Sequence, residues 1–393
     1  MARIWRAAAI GDTGHTDAQG NYLAFDMGHD LHLPYQYLPN VEMVAVADPD
    51  EAGRLRGMRA AGAKRAYADF HEMLEKERPD VVSVCSRQAV RHEAMILAAV
   101  QAGCHVFVDK PFTTDLASAD RIIAACDARG VKLAIAYQSR YIEPFITARN
   151  MVASGEIGQL LSMHARVKED HRGGGEDVIC CGVHLTDVMR MFAGDPQWVF
   201  GTVTRNGRPI ERADAYDPAD HNGLVAGDSS DAMYGFDNGV VGYLTTVRNQ
   251  HVRGERWGIT LVGTEATLAI RFFNDNCSMS KLRISRSHHV PEEGGEFHLV
   301  DVAPEPVPPG SPPLDTGFPP ARGNRQAAWD LMRAAEEGRE PLASGRDGRW
   351  SLEMALGIYA SHFAGRRLAL PLADRRHPLG ETVPMRFEKP VAA

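Results

Sequence analysis

Short apolar runs alternate with helical spacings through the first third of the chain. The runs Trp5–Ile10, Val41–Ala47, Val81–Cys85, His105–Val108 and Lys132–Ala136 are rich in Val, Ile and Ala with few polar interruptions. Strands buried on both faces have this composition. Between them, Pro49–Ala61, His71–Glu77, Arg91–Gln101 and Asp115–Arg129 repeat apolar residues at helical intervals. Gly103 and Gly130 stand where helices end, and Asp48 before Pro49 reads as an N-cap followed by a first-turn proline. This β-α-β-α order predicts an α/β fold with a doubly wound parallel sheet over residues 1–136.

After Tyr137 the rhythm changes. A helix over Pro144–Ser154 leads to a strand at Leu160–Val167. A glycine-rich loop, Arg172-Gly173-Gly174-Gly175, precedes a helix from Ile179 to Phe192 that Gly194 closes. From Trp198 to Val302 the pattern is mainly strand-like. Asp237-Asn238-Gly239 forms a hairpin turn between Ala232–Phe236 and Val240–Val247, and Trp257–Val262 and Ala266–Phe272 flank Gly263 in the same way. Eight prolines between Ala303 and Pro320 mark an extended loop, and helices follow at Arg325–Glu337 and Ser351–Phe363. Residues 137–393 therefore read as a second α/β domain on an open, mostly antiparallel sheet, its last helices available to pack back on the first domain.

The length of 393 residues agrees with two or three domains. Forty-three Lys and Arg against 51 Asp and Glu give a formal charge of −8, which lacks the basic excess that nucleic acid demands. No apolar stretch approaches the ~20 residues of a membrane span. Arg6 interrupts the apolar N-terminal run, which argues against a secretory signal and for a cytoplasmic protein. Six cysteines without a C-x-x-C pair suggest neither a disulfide framework nor a standard zinc site.

The first strand runs into IGDTGHTDAQGNY. Glycines after a first strand let a backbone approach a pyrophosphate, which makes Gly11, Thr13 and Gly14 candidates for a dinucleotide turn. Thr13 and Thr16 occupy two of the three glycine positions of the usual fingerprint, so an ordinary strand-to-helix loop is an equal reading. Asp48 ends the second strand, where a carboxylate accepts from the ribose hydroxyls and repels a 2′-phosphate; it favours NAD over NADP. It lies 37 residues after Gly11, beyond the ~30-residue unit expected, which implies an enlarged loop over Thr13–Gly28. Lys110, in Asp109-Lys110-Pro111 after the fourth strand, points to the same crevice. Burial there can lower a lysine's proton affinity enough for proton transfer.

The stretch SVCSRQAVRHEAMILAAVQAGCHVFVDKP resembles the glucose–fructose oxidoreductase, inositol dehydrogenase and MocA (Gfo/Idh/MocA) family. The resemblance rests on a small-residue turn at Ser86, His92 opening a helix, Ala102-Gly103, His105-Val106 and Asp109-Lys110-Pro111. CGVHLTDVMRMFAGD and REPLASGRDGRWSLEMALGIYASHFAGRR are similar to the family's second-domain and C-terminal helices. The resemblance implies a Rossmann domain holding NAD(H) or NADP(H), with Ser86, His92, Asp109 and Lys110 joining Gly11, Thr13, Gly14 and Asp48 at the cofactor. It implies a sugar or polyol between the domains, near Lys110, Gln138, Arg140, Cys180 and His184, and an open sheet that serves homo-oligomerisation. Lys110 and His184 match the catalytic pair, in which the histidine takes a hydroxyl proton as hydride leaves the same carbon.

One departure stands out: the family's D-x-x-x-H reads Cys180-Cys181-Gly182-Val183-His184. Cys180 and His184 share a helix face, so a neutral thiol there would replace a carboxylate. Asp187, Glu176 and Asp177 are candidates to compensate. Cys180, Cys181, His184 and Asp187 are metal-type donors, yet adjacent side chains on a helix diverge by ~100°. Buried cysteines beside a pocket, without metal, are the expectation. The pairs His29/His32 and His288-His289 lack supporting donors. Besides dehydrogenation, a glycoside-cleaving reaction with transient oxidation by NAD and a non-catalytic nucleotide-binding role remain open at this level.

Overall fold

The computed structural model describes residues 3–12, 29–218, 220–250, 256–273, 276–287, 296–302, 307–312 and 320–380. Thr13, Gly14, the presumed enlarged loop up to Gly28 and the His288-His289 pair lie outside the described residues.

The apolar runs at the start of the chain become β1 (Trp5–Ile10), β2 (Val41–Ala47), β4 (Val81–Val84), β5 (His105–Val108) and β6 (Leu133–Ile135). The sixth strand, β3 (Arg65–Tyr67), has no apolar run and sits at the edge. All pair in parallel, in the order β3-β2-β1-β4-β5-β6. The order reverses between β1 and β4, and a crevice opens there beyond the carboxyl ends of the strands. Helices α1 (Glu51–Ala61), α2 (Phe70–Glu77), α3 (Ala89–Gln101) and α4 (Leu116–Arg129) cross between them.

The start of α1 corrects the capping expectation. Asp50, not Asp48, is the N-cap: its carboxylate accepts from Gly53 N at 2.6 Å. Helix α1 starts at Glu51, two residues after the proline, so Asp48 remains at the strand end.

The second half begins with α5 (Glu143–Ala153) and β7 (Leu160–Arg166). One helical turn, α6 (Gly175–Asp177), passes through a wide π-type turn over Val178–Gly182 into α7 (Val183–Ala193). The strands β8 (Pro196–Arg205), β9 (Arg208–Pro209), β10 (Ser229–Phe236), β11 (Val241–Val247), β12 (Gly258–Gly263), β13 (Thr267–Phe273), β14 (Asn276–Ser285) and β15 (His298–Leu299) precede α8 (Pro320–Glu337), α9 (Gly345–Ala364) and β16 (Leu368–Ala369). They form one sheet, in the order β15-β14-β13-β12-β7-β11-β10-β8-β16, with β9 paired to β8. Only β7 and β11 run parallel; the rest is antiparallel.

Helices α5, α7 and α9 pack on this second sheet. Helix α9 also meets α4 and β6, and α8 lies on β5 and β6, so the end of the chain returns to the first sheet. Leu161, Phe200 and Tyr243 of the second sheet remain 37–46% exposed.

Candidate active site

Gly11 follows β1, with its N–H bonded to Ala47 O at 2.8 Å. The next residue, Asp12, is buried and accepts from Arg91 Nη1 at 2.8 Å and Ser86 Oγ at 3.4 Å. Asp48 is 1% exposed at the end of β2. Its Oδ1 accepts from Asp50 N at 3.0 Å, and a carboxylate has further lone pairs for ribose hydroxyls. These groups fit the adenosine half of a dinucleotide at the switch point. Ser86 and His92 buttress the crevice from beneath. Both ring nitrogens of His92 face carbonyls, Ser86 O at 2.7 Å and Phe112 O at 3.1 Å, so the ring ties the turn after β4 to the loop after β5.

That second loop carries Asp109 and Lys110. Asp109 is fully buried. It accepts from Lys110 N at 2.7 Å and meets His29 Nδ1 at 2.6 Å. Burial opposes its ionisation, yet His29 and then Lys110 hold its carboxyl well below the usual range. Asp30 beside them is pushed up to about 6, chiefly by burial.

From Asp109 the chain aims Lys110 across to the second half. Its Nζ donates to Cys180 O at 3.0 Å and lies 3.8 Å from Cys180 Sγ. Burial alone would depress this lysine, as expected from its position. The neighbouring Cys180, Cys181 and Asp109 outweigh that effect and raise it instead. Lys110 is therefore a fixed ammonium, not a poised base.

His184, two residues past the π-type segment, lies edge-on to Tyr137 with ring centroids 5.8 Å apart. Its Nδ1 is buried without a hydrogen-bond partner. Burial, followed by the charges of Lys110 and His29, pushes it down to about 3. The ring is neutral, and an orphaned polar atom in an enclosed site fits a ligand that supplies its partner.

The proposed compensating acids separate. Asp187 is held in a two-pronged pair by Arg140, Nε to Oδ2 and Nη2 to Oδ1, both at 2.8 Å. Asp177 accepts from Thr246 Oγ1 at 2.7 Å and Glu169 N at 2.8 Å. Glu176 remains near Cys180; burial and then the Cys180 charge push it up to about 7.

Arg140 also donates to Leu342 O at 2.8 Å and Asp347 at 3.2 Å. It stitches the 3-10 turn Gln138–Arg140 to α7 and α9, while Gln138 is buried in the same turn. Among the described residues no cluster of His, Cys, Asp or Glu is arranged to hold a metal ion.

Sequence reasoning missed two partners. His29 contacts Asp109 from 80 residues away. Arg172 opens the glycine-rich loop and donates from Nη1 to Cys180 Sγ at 3.0 Å. The loop was visible as a motif; the arginine's target was not.

Comparison with known proteins agrees with this fold. Residues 24–137 match the profile of an oxidoreductase family with an NAD-binding Rossmann fold, GFO_IDH_MocA, and residues 145–269 match the GFO/IDH/MocA C-terminal domain. D-apiose dehydrogenase of Paraburkholderia graminis is 26% identical over 377 residues, covering 90% of this chain and 89% of that one. Myo-inositol 2-dehydrogenase of Thermotoga maritima is 34% identical over 118 residues, 30% of this chain and 35% of that one. Among solved structures, levoglucosan dehydrogenase with NADH and levoglucosan superposes with a TM-score of 0.71 at 19% identity, covering 94% of this chain and 100% of that one. An oxidoreductase from Agrobacterium radiobacter with NAD+, L-tartaric acid and magnesium gives 0.69 at 16% identity, covering 93% and 98%.

Proposed function

The chain belongs to the Gfo/Idh/MocA family of NAD-binding oxidoreductases, and from that premise we propose that it oxidises a hydroxyl carbon of a sugar, polyol or sugar derivative with NAD as hydride acceptor. The observation that carries the reading is the meeting of Lys110, from the carboxyl edge of the parallel sheet, with the segment that bears Cys180 and His184. Asp48, Gly11 and the Ser86 turn line the adenosine side, and Asp109 anchors the strand end beneath Lys110. The substrate lies over Lys110 and His184, between a cofactor-binding part (1–136) and a substrate-binding part (137–393).

NAD, when bound, supplies the hydride acceptor. The protein's share is to hold and deprotonate the alcohol. The Lys110 ammonium donates to the hydroxyl oxygen and stabilises the negative charge that grows there. The neutral His184 ring accepts the proton. An ammonium that never leaves its charged form can do only the first of these, which divides the roles. A panel of neutral sugars and polyols, with NADH formation followed by absorbance, tests the proposal; Lys110→Ala should lose ~100-fold or more in turnover.

The same family logic extends to assembly: this is a homo-oligomer that buries the exposed face of the second sheet. Phe200, Met233, Tyr243 and His164 lie in direct cross-strand register across β8, β10, β11 and β7, and the Tyr243 and His164 rings stack at 4.8 Å. No helix among the described residues is long and apolar enough to cross a membrane, and the acidic chain suits a small neutral substrate in the cytoplasm rather than nucleic acid.

A further inference from the structure

Lys110 is 8% exposed, and its ammonium forms no ion pair with a carboxylate among the described residues. It meets Cys180, at 3.0 Å to the carbonyl oxygen and 3.8 Å to the sulfur. From the opposite side Arg172 brings Nη1 to within 3.0 Å of the same sulfur. The other edge of that guanidinium is spent on Asp170, Nε to Oδ1 at 3.1 Å and Nη2 to Oδ2 at 2.6 Å, and Nη2 passes 3.9 Å from Cys181 Sγ. Asp170 thus offsets Arg172. Cys180 is the group that the Lys110 ammonium touches; the ionised Asp109 also favours the ammonium but is itself paired to His29. A buried cation without a counter-charge is strongly disfavoured, and a thiol in contact with two cations is the group that can supply one.

We infer that Cys180 is a standing thiolate, gripped between Arg172 and Lys110, and that it acts as the positioning residue that fixes the Lys110 ammonium in the pocket. The inference rests on Lys110 facing the reacting carbon for its functional meaning, but not for the ionisation itself.

The remaining charged neighbours agree. The Cys181 thiol, then Lys110, Arg172 and Arg87, hold Cys180 well below the ordinary thiol range against the effect of burial. Glu176 and Asp177 on α6 and His184 on α7 also feel its charge, and Glu176 rises to about 7 beside it. The other described cysteines behave oppositely. Cys181 is raised by hydrogen bonding to Cys180 and by burial. Burial likewise raises Cys85 well above the ordinary thiol range, and Cys104 and Cys126 to about 12.

This contrast makes the inference readable without substrate or cofactor, from the ultraviolet absorbance of thiolate. The intact protein should show a thiolate at neutral pH whose midpoint lies well below that of a free thiol. Cys180→Ser should remove it. Arg172→Met and Lys110→Met should each move the midpoint upward by about one unit or more, a ~10-fold change in ionisation.

Where turnover is measurable, Cys180→Ser should lower kcat and alter its pH profile, and Cys180→Asp, which restores a fixed anion, should recover both. Absence of thiolate absorbance in the intact protein at neutral pH would overturn the inference, as would the same absorbance in Cys180→Ser. Failure to bind NAD would sink the functional proposal and leave the titration intact, so the two ideas fail separately.

Discussion

Lys110 and His184 are electrostatic neighbours with opposite fates. Lys110 is kept charged by its neighbours, whereas His184 is kept neutral by burial and by the cation beside it. The histidine's low value makes a stability prediction. Its folded value of about 3 lies below the ~6.5 of an unfolded histidine, so the unfolded chain takes the proton first as pH falls. The stabilisation is complete above about pH 6.5 and is lost progressively toward pH 3. His377, lowered by burial to about 4, acts in the same direction. Melting temperatures should fall across this acid window, and His184→Gln should flatten the fall; an unchanged slope would contradict the assigned environment. If the buried Asp48 carboxylate faces the ribose, NADH should bind more tightly than NADPH in fluorescence titrations, because a buried carboxylate beside a phosphate of like charge costs several kcal/mol. Tighter NADPH binding would reassign it. The strand-end positions of Asp48 and Lys110 were legible in the order of apolar runs, and the helix position of His184 through the family resemblance. His29 and Arg172 were not, since each finds its target only after loops from different elements converge.

Among the elements, the loop Arg172–Gly175 connects sequence to site most directly. A Cβ at Gly173 would overlap the Arg248 backbone, one at Gly175 would overlap the Tyr359 hydroxyl, and Gly174 takes a positive φ of 92°. Only glycines let this loop lie flat against the sheet and place Arg172 beside Cys180. Gly173→Ala should destabilise the protein by about 1–3 kcal/mol through overpacking, measurable by denaturant unfolding. Full stability in that variant would show that the loop can shift freely. The buried strands of the first sheet were readable because burial on both faces leaves continuous apolar runs. Strand β3 escaped because Arg65-Ala66-Tyr67 is a three-residue edge with exposed or half-buried side chains. The π-type turn over Val178–Gly182 escaped because its residues read as ordinary helix; it precedes His184 and carries Cys180.

For the whole molecule, the parallel sheet presents Lys110 at its carboxyl edge, the turn between α6 and α7 meets it through Cys180, and α8 and α9 tie the halves together. The division into two sheets was visible as a change in hydrophobic rhythm near Tyr137, whereas the return of the last helices to the first sheet is a tertiary property that no local pattern encodes. If the stripe of Phe200, Met233 and Tyr243 is an assembly face, Phe200→Glu with Tyr243→Glu should reduce the mass measured by light scattering to that of a monomer, with the fold intact. A wild-type monomer would refute that assignment. The central claim is that Lys110 and His184 face a hydroxyl carbon beside bound NAD. Its most direct test is the initial rate of NADH formation by the intact enzyme and by Lys110→Ala across a panel of neutral sugars and polyols. The account predicts NADH from at least one of them with the intact enzyme and a rate ~100-fold lower or less with the variant; equal rates in the two proteins, or no NADH from any member of the panel, would contradict it.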